Sequence, residues 1–298
     1  MEKQVKEITL YRTNLVIGDP DEEGLLSEET KVNRVILNED GHEIERITYN
    51  AYGEPEERVI IKWENGHPVE EQLELEGEIA ERTTREFDDK GRIVKEFRHY
   101  LEGGTDEIRY IYENDLLIMK QTIDSDGDEG EKHYWTYEDG LLVKEESFDA
   151  DGEPEMRKNY IYAENGRLDE TIELQISNDG ESKLVSVMDE AGNIVLEKRY
   201  DTRGNLIARN TITIGENGRP ALMEEETVRG KSVVHLEYDG QGNNVLYREE
   251  TADGNLLTLI TRTFDTEGRN TGSEVKTEPQ AQRPGQHYRL RYEYNFYE

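Results

Sequence analysis

The stretch "YDTRGNLIARN", residues 200–210, reads as one reversal of an extended chain. Tyr200 closes a strand, and Asp201 opens a turn in which its carboxylate can accept a backbone N–H. Gly204, the fourth turn residue, tolerates the positive φ needed to re-enter a strand at Leu206. "FDDKGRIV" from Phe87 and "FDTEGRN" from Phe264 repeat the pattern, with turns Asp88–Gly91 and Asp265–Gly268. Aligning such turns on the apolar residue before them gives a main series at Leu37, Trp63, Phe87, Tyr112, Tyr137, Tyr162, Met188, Ile214, Tyr238 and Phe264, in steps of 24 to 26 residues. Weaker turns, Tyr200 among them, start at Tyr49, Ile123, Phe148 and Thr251 and fall in between. The chain therefore reverses about every 12 or 13 residues, as a tandem array of hairpins does.

The arms alternate with a period of two. In "HYRLRYEYNF", residues 287–296, Tyr288, Leu290, Tyr292, Tyr294 and Phe296 share one face, and Arg289, Arg291 and Glu293 the other. "ENG" at Glu64–Gly66, Glu164–Gly166 and Glu216–Gly218 carries the Asn-Gly pair of a tight two-residue hairpin. No helical pattern longer than about two turns is present. The sequence therefore predicts an all-β protein: tandem hairpin repeats of about 25 residues forming one long antiparallel sheet. About 20 strands are too many to stay flat, so the sheet should coil into a superhelix or a shell with its aromatic face inside. We expect one domain over 1–298. A capping hairpin at 1–36 contains a strand from Val5 to Ile17 and a turn at Gly18–Gly24. About ten repeats fill 37–275, and 276–298 form a Pro-containing loop and a capping strand.

Composition narrows the function. Asp and Glu total 69 against 36 Lys and Arg, a net charge of −33, which repels phosphate backbones and anionic lipid and attracts basic partners. With no cysteine, thiolate catalysis and Cys-ligated zinc are excluded. No apolar run approaches the 18 or so residues of a helical membrane span, so the chain reads as cytoplasmic with no membrane contact.

Candidate sites are sparse. "DSDGDEGE" alternates Asp124, Asp126 and Asp128 like a calcium loop. Its twelfth position is Trp135 instead of a bidentate Glu, and Gly130 falls at the seventh place, so the EF-hand signature fails. The segment reads as a solvated turn, with weak cation binding or partner contact as alternatives. "FDADGEPE", Phe148–Glu155, reads likewise. The six histidines, His42, His67, His99, His133, His235 and His287, are scattered over six repeats without metal or triad spacing. The clusters "DPDEEG" and Met223–Thr227 read as solubilising edge charge. No cofactor and no catalytic residue is expected.

Segments such as "YDTRGNLIARN", "FDDKGRIVKEF" and "YDGQGNNVLYRE" resemble the tyrosine-aspartate repeats of the RHS superfamily over most of the chain, from about Leu37 to Gly268. "KWENGHPVEEQ" and "YENDLLIMKQ" are similar to the MORN-related repeats of some bacterial antitoxin and immunity proteins. The resemblance implies spiralling β-hairpins and a setting in bacterial competition. The chain is shorter than an RHS toxin shell and carries neither the cleavage motif nor the C-terminal enzyme domain. Charge and resemblance together lead to a non-catalytic acidic scaffold that binds a basic partner protein, an immunity or antitoxin protein facing a cationic toxin. The residues expected to meet that partner are Asp124, Asp126, Asp128, Glu129, Glu131, Trp135, Asp149 and Asp151. A structural or cell-surface repeat protein is the alternative. A less favoured one is a glycan-binding or glycan-active protein that uses Trp63 and Trp135 as platforms.

Overall fold

The computed structural model describes residues 3–15, 28–279 and 284–298. The turn expected at Gly18–Gly24, the end of the first expected strand at Ile17 and part of the Pro-containing loop lie outside them. Among the described residues the regular structure is all strand. The first eleven strands are β1 (Val5–Asn14), β2 (Thr30–Leu37), β3 (Glu43–Tyr49), β4 (Pro55–Glu64), β5 (His67–Leu75), β6 (Glu78–Phe87), β7 (Ile93–Tyr100), β8 (Thr105–Glu113), β9 (Leu116–Ile123), β10 (Glu129–Glu138) and β11 (Leu141–Phe148). The remainder are β12 (Pro154–Tyr162), β13 (Leu168–Ser177), β14 (Gly180–Met188), β15 (Ile194–Tyr200), β16 (Leu206–Ile214), β17 (Pro220–Thr227), β18 (Gly230–Tyr238), β19 (Asn244–Thr251), β20 (Leu256–Phe264), β21 (Asn270–Thr277) and β22 (Gln286–Phe296).

The turns fold for the reason the sequence suggests. Asp201 Oδ1 accepts the N–H groups of Arg203 and Asn205 at 2.9 and 2.8 Å, and Gly204 sits at φ 80°. Asp88 and Asp265 build their turns the same way. The three "ENG" segments part company. Asn65 and Gly66 both have positive φ, 52° and 79°, in a two-residue turn. The turns at Ala163–Gly166 and Gly215–Gly218 instead span four residues, because the preceding Ala163 and Gly215 enter the turn and each accepts the glycine N–H. Asn114–Asp115 makes a tight turn without glycine, at φ 48° and 68°.

Each strand pairs antiparallel with the next, from β1–β2 to β21–β22. The circuit then closes: β1 pairs with β22 from Val5↔Phe296 to Asn14↔Tyr288. An open superhelical sheet is thereby corrected to a closed 22-stranded barrel, whose terminal strands satisfy each other's backbone groups.

Among the described residues, no strand comes within 8 Å, Cα to Cα, of any strand but its two ladder neighbours. The accessible surface is 19,269 Å², where a compact protein of 34.6 kDa would show about 13,000 Å². A circular barrel of twenty-two strands set about 4.8 Å apart and tilted would be roughly 35 to 45 Å across, too wide for side chains to close.

Candidate functional site

The wall has two distinct faces, which the ladder partners trace round the whole circuit. One, the aromatic face, carries Val59, Thr83, Glu96, Ile108, Thr171, Ser186, Ala208 and Val275, eight of the ten buried residues among the described ones. The opposite face carries the other two, Thr9 and Gln121. Along β22 the alternation is complete: Arg289, Arg291, Glu293 and Asn295 are exposed, while Tyr288, Leu290, Tyr292, Tyr294 and Phe296 are half-buried.

The even-to-odd hairpins all turn at one end of the barrel, the first rim. Their pre-turn residues, Trp63, Phe87, Tyr112, Tyr137, Tyr162, Met188, Ile214, Tyr238 and Phe264, form a ring on the aromatic face, each beside a bulge in the partner strand. At the second rim, Tyr49, Phe148 and Tyr200 hold the same place before the turn but lie on the opposite face. Hairpin handedness explains the switch. A given turn sets its pre-turn side chain on one side of its own ribbon, and reversing at the other rim while advancing the same way round the barrel presents the other side.

The ring is stapled. Tyr112, Tyr162, Tyr238 and Tyr294 donate their hydroxyls to the carbonyls of Ile93, Leu142, Pro220 and Asn270 at 2.8 to 3.0 Å. Trp63 Nε1 donates to the Glu43 carbonyl at 2.8 Å. The residue following a turn lies over the ring of the next hairpin. His42 stacks on Trp63 with centroids 4.1 Å apart, and Arg92 and Arg219 sit 4.4 and 5.7 Å from the rings of Tyr112 and Tyr238.

Both faces carry ion pairs at mid-strand. Arg58 bridges Glu45 and Glu74 on the opposite face, and Arg85 bridges Glu71 and Glu96 on the aromatic one. Neither face is therefore an unbroken apolar band of the kind found on lipid-facing barrel walls. Arg109 and Lys95 hold the Glu107 carboxyl down at about 2, and the Asn205 amide, with backbone N–H groups, lowers that of Asp201.

The acidic residues expected to meet a partner divide into two turns at the second rim. Asp124, Asp126 and Asp128 lie in the β9–β10 turn, where Asp124 Oδ1 is occupied by the N–H groups of Asp126 and Asp128. Glu129 pairs with Lys132 at 2.7 Å, and Glu131 is exposed. Asp149 and Asp151 sit in the β11–β12 turn, with Asp149 accepting from Asp151 N. Trp135 is not with them: it stands toward the first rim, roughly 20 Å along β10, stacked on His133. Among the described residues no group of three His, Asp or Glu is arranged to hold a metal. Sequence reasoning missed the staples, although the signal was there: His or Arg directly follows the turn at His42, His67, Arg92, Arg219 and Arg269.

No family model and no curated protein matches the chain. Two solved structures align along nearly all of it. One is a porin-like protein from Bacteroides uniformis ATCC 8492, with 9% identity, 99% of this chain and 98% of that chain covered, and a TM-score of 0.31. The other is a porin-like protein from Bacteroides vulgatus ATCC 8482, with 13% identity, 99% of each chain covered, and a TM-score of 0.24. At such scores the walls do not superpose closely, and the barrel rests on its own ladder.

That closure overturns the functional expectation. The immunity or antitoxin scaffold was expected on an open sheet with free edges, whereas here the sheet is spent on enclosing a space. The basic-protein partner falls with it. So does the cytoplasmic, membrane-free placement, which rested on the absence of a long apolar run. That criterion concerns helices, and closed barrels cross bilayers on strands of about 9–11 residues.

Proposed function

We propose that this chain is a pore-type barrel: a closed wall around water whose interior admits small hydrophilic solutes, cations ahead of anions. The observation that carries this reading is the β1–β22 ladder, which closes the circuit around a space that no strand among the described residues enters. The net charge of −33, spread over the whole chain, gives the barrel an acidic field that draws cations toward its mouths ahead of anions. The aromatic face lines the interior. A closed wall draws side chains together on its concave side, and eight of the ten buried side chains stand on that face.

Because the chain has no cysteine, single cysteines test the reading cleanly. Asn210 and Thr211 are neighbours in the middle of β16 and point to opposite faces. Asn210→Cys should react with a small cationic thiol reagent roughly tenfold faster than with its anionic counterpart and should be closed to a maleimide carried on a polymer too bulky to enter. Thr211→Cys should accept the bulky reagent. Equal rates for the bulky reagent at both positions would overturn the proposal.

A further inference from the structure

The β8–β9 hairpin lacks both kinds of staple toward the next ring at the first rim. At five places a cation or imidazole from one hairpin covers the aromatic ring of the next: His42 on Trp63, His67 on Phe87, Arg92 on Tyr112, Arg219 on Tyr238 and Arg269 on Phe296. The β8–β9 hairpin turns tightly at Asn114–Asp115, and the residue that follows is Leu116. Tyr137, the next ring, therefore has no cation over it among the described residues. Among the described residues its hydroxyl and the Trp135 indole N–H also have no hydrogen-bond partner, unlike the hydroxyls of Tyr112, Tyr162, Tyr238 and Tyr294 and the indole of Trp63. Leu141 holds the corresponding place before Tyr162, but there the hydroxyl is taken up by the Leu142 carbonyl.

At the gap opens a cavity of about 770 Å³ whose lining includes Glu113, Asn114, Leu116, Trp135 and Tyr137. The Glu113 carboxylate has no ion-pair partner among the described residues. Its sequence neighbour Asp115 is drawn away to Lys90 and Arg92 of the preceding hairpin.

We infer that this cavity binds the guanidinium group of a small organic cation, which lies over the Tyr137 ring in the place that Arg92, Arg219 and Arg269 fill in sibling hairpins. The ring face supplies the cation–π attraction. The Glu113 carboxylate and the Asn114 amide oxygen accept its planar N–H donors, as Asp88 and Asp265 accept those of Arg92 and Arg269. Burial, then the nearby Glu145, raises the pKa of the Tyr137 hydroxyl, so the ring stays neutral beneath the cation. The site is built by neighbouring hairpins and needs no enclosed water, so it stands or falls separately from the pore.

Methylguanidinium is the probe. Calorimetric titration of the unmodified chain should show saturable binding, and in the Trp63→Phe variant, where Trp135 is the sole tryptophan, the same titration should change its fluorescence. Urea, of the same shape without the charge, should do neither. Leu116→Arg supplies from within the chain what the siblings already carry, and should weaken methylguanidinium at least tenfold while the barrel stays folded. Absence of saturable binding, an equal response to urea, or unchanged affinity in Leu116→Arg would overturn the assignment.

Discussion

At the scale of single residues, this barrel is made of ordinary turns and surface charges, and its pH response follows from them. Arg109, then Lys95, hold the Glu107 carboxyl near 2, below its ordinary value of 4.5. Such a lowered carboxyl contributes stability that is fully present above the unfolded value and is lost as pH falls toward the folded one. The turn aspartates Asp88, Asp189, Asp201 and Asp239 act with the same sign, because each is held ionised chiefly by a side chain four residues on. Thermal melts between about pH 4.5 and 2 should therefore show falling stability. Glu107→Gln should fall less steeply than the parent, and an equally steep fall would count against the ion pair. These turns were legible in the sequence because their cause is local: an Asp or Asn, two residues and a glycine fix the hydrogen bonds by themselves.

At the scale of the hairpin, the stabilising device is the bond from a ring hydroxyl to the neighbouring strand. Tyr112 donates to the Ile93 carbonyl at 2.9 Å, and Tyr112→Phe should cost about 1 kcal/mol in urea unfolding. Tyr137→Phe, which removes a hydroxyl with no protein partner, should cost much less, and equal losses would show that the staple is not what distinguishes them. Alternation in 287–296 foretold the two faces of β22 correctly. It could not foretell that Tyr200 and Tyr238, in nearly identical motifs, face opposite ways. That depends on the rim at which each hairpin turns, which no local window contains. The expected partner residues are spread out for a related reason: Trp135 stands on β10 seven residues beyond Asp128 of the β9–β10 turn, and an extended strand separates what the sequence sets side by side.

At the scale of the molecule, closure removes both edges of a sheet that would otherwise present two long rows of unpaired backbone groups. Ending the chain at residue 279 deletes β22 and exposes β1 and β21. The shortened protein should self-associate in light scattering, and the amides of β1 should exchange faster with solvent. A monomer with β1 still protected would mean that the circuit is not what holds the first strand.

The sequence by itself determined the period of about 25 residues, the turn chemistry, the all-strand character and the order of pairing, because each depends on groups within one hairpin or its neighbour. Only the tertiary structure decided that β1 meets β22 and at which rim each ring turns. Closure is the sum of small twists and bulges over 22 strands, and a sum of that kind cannot be read from any one of its terms.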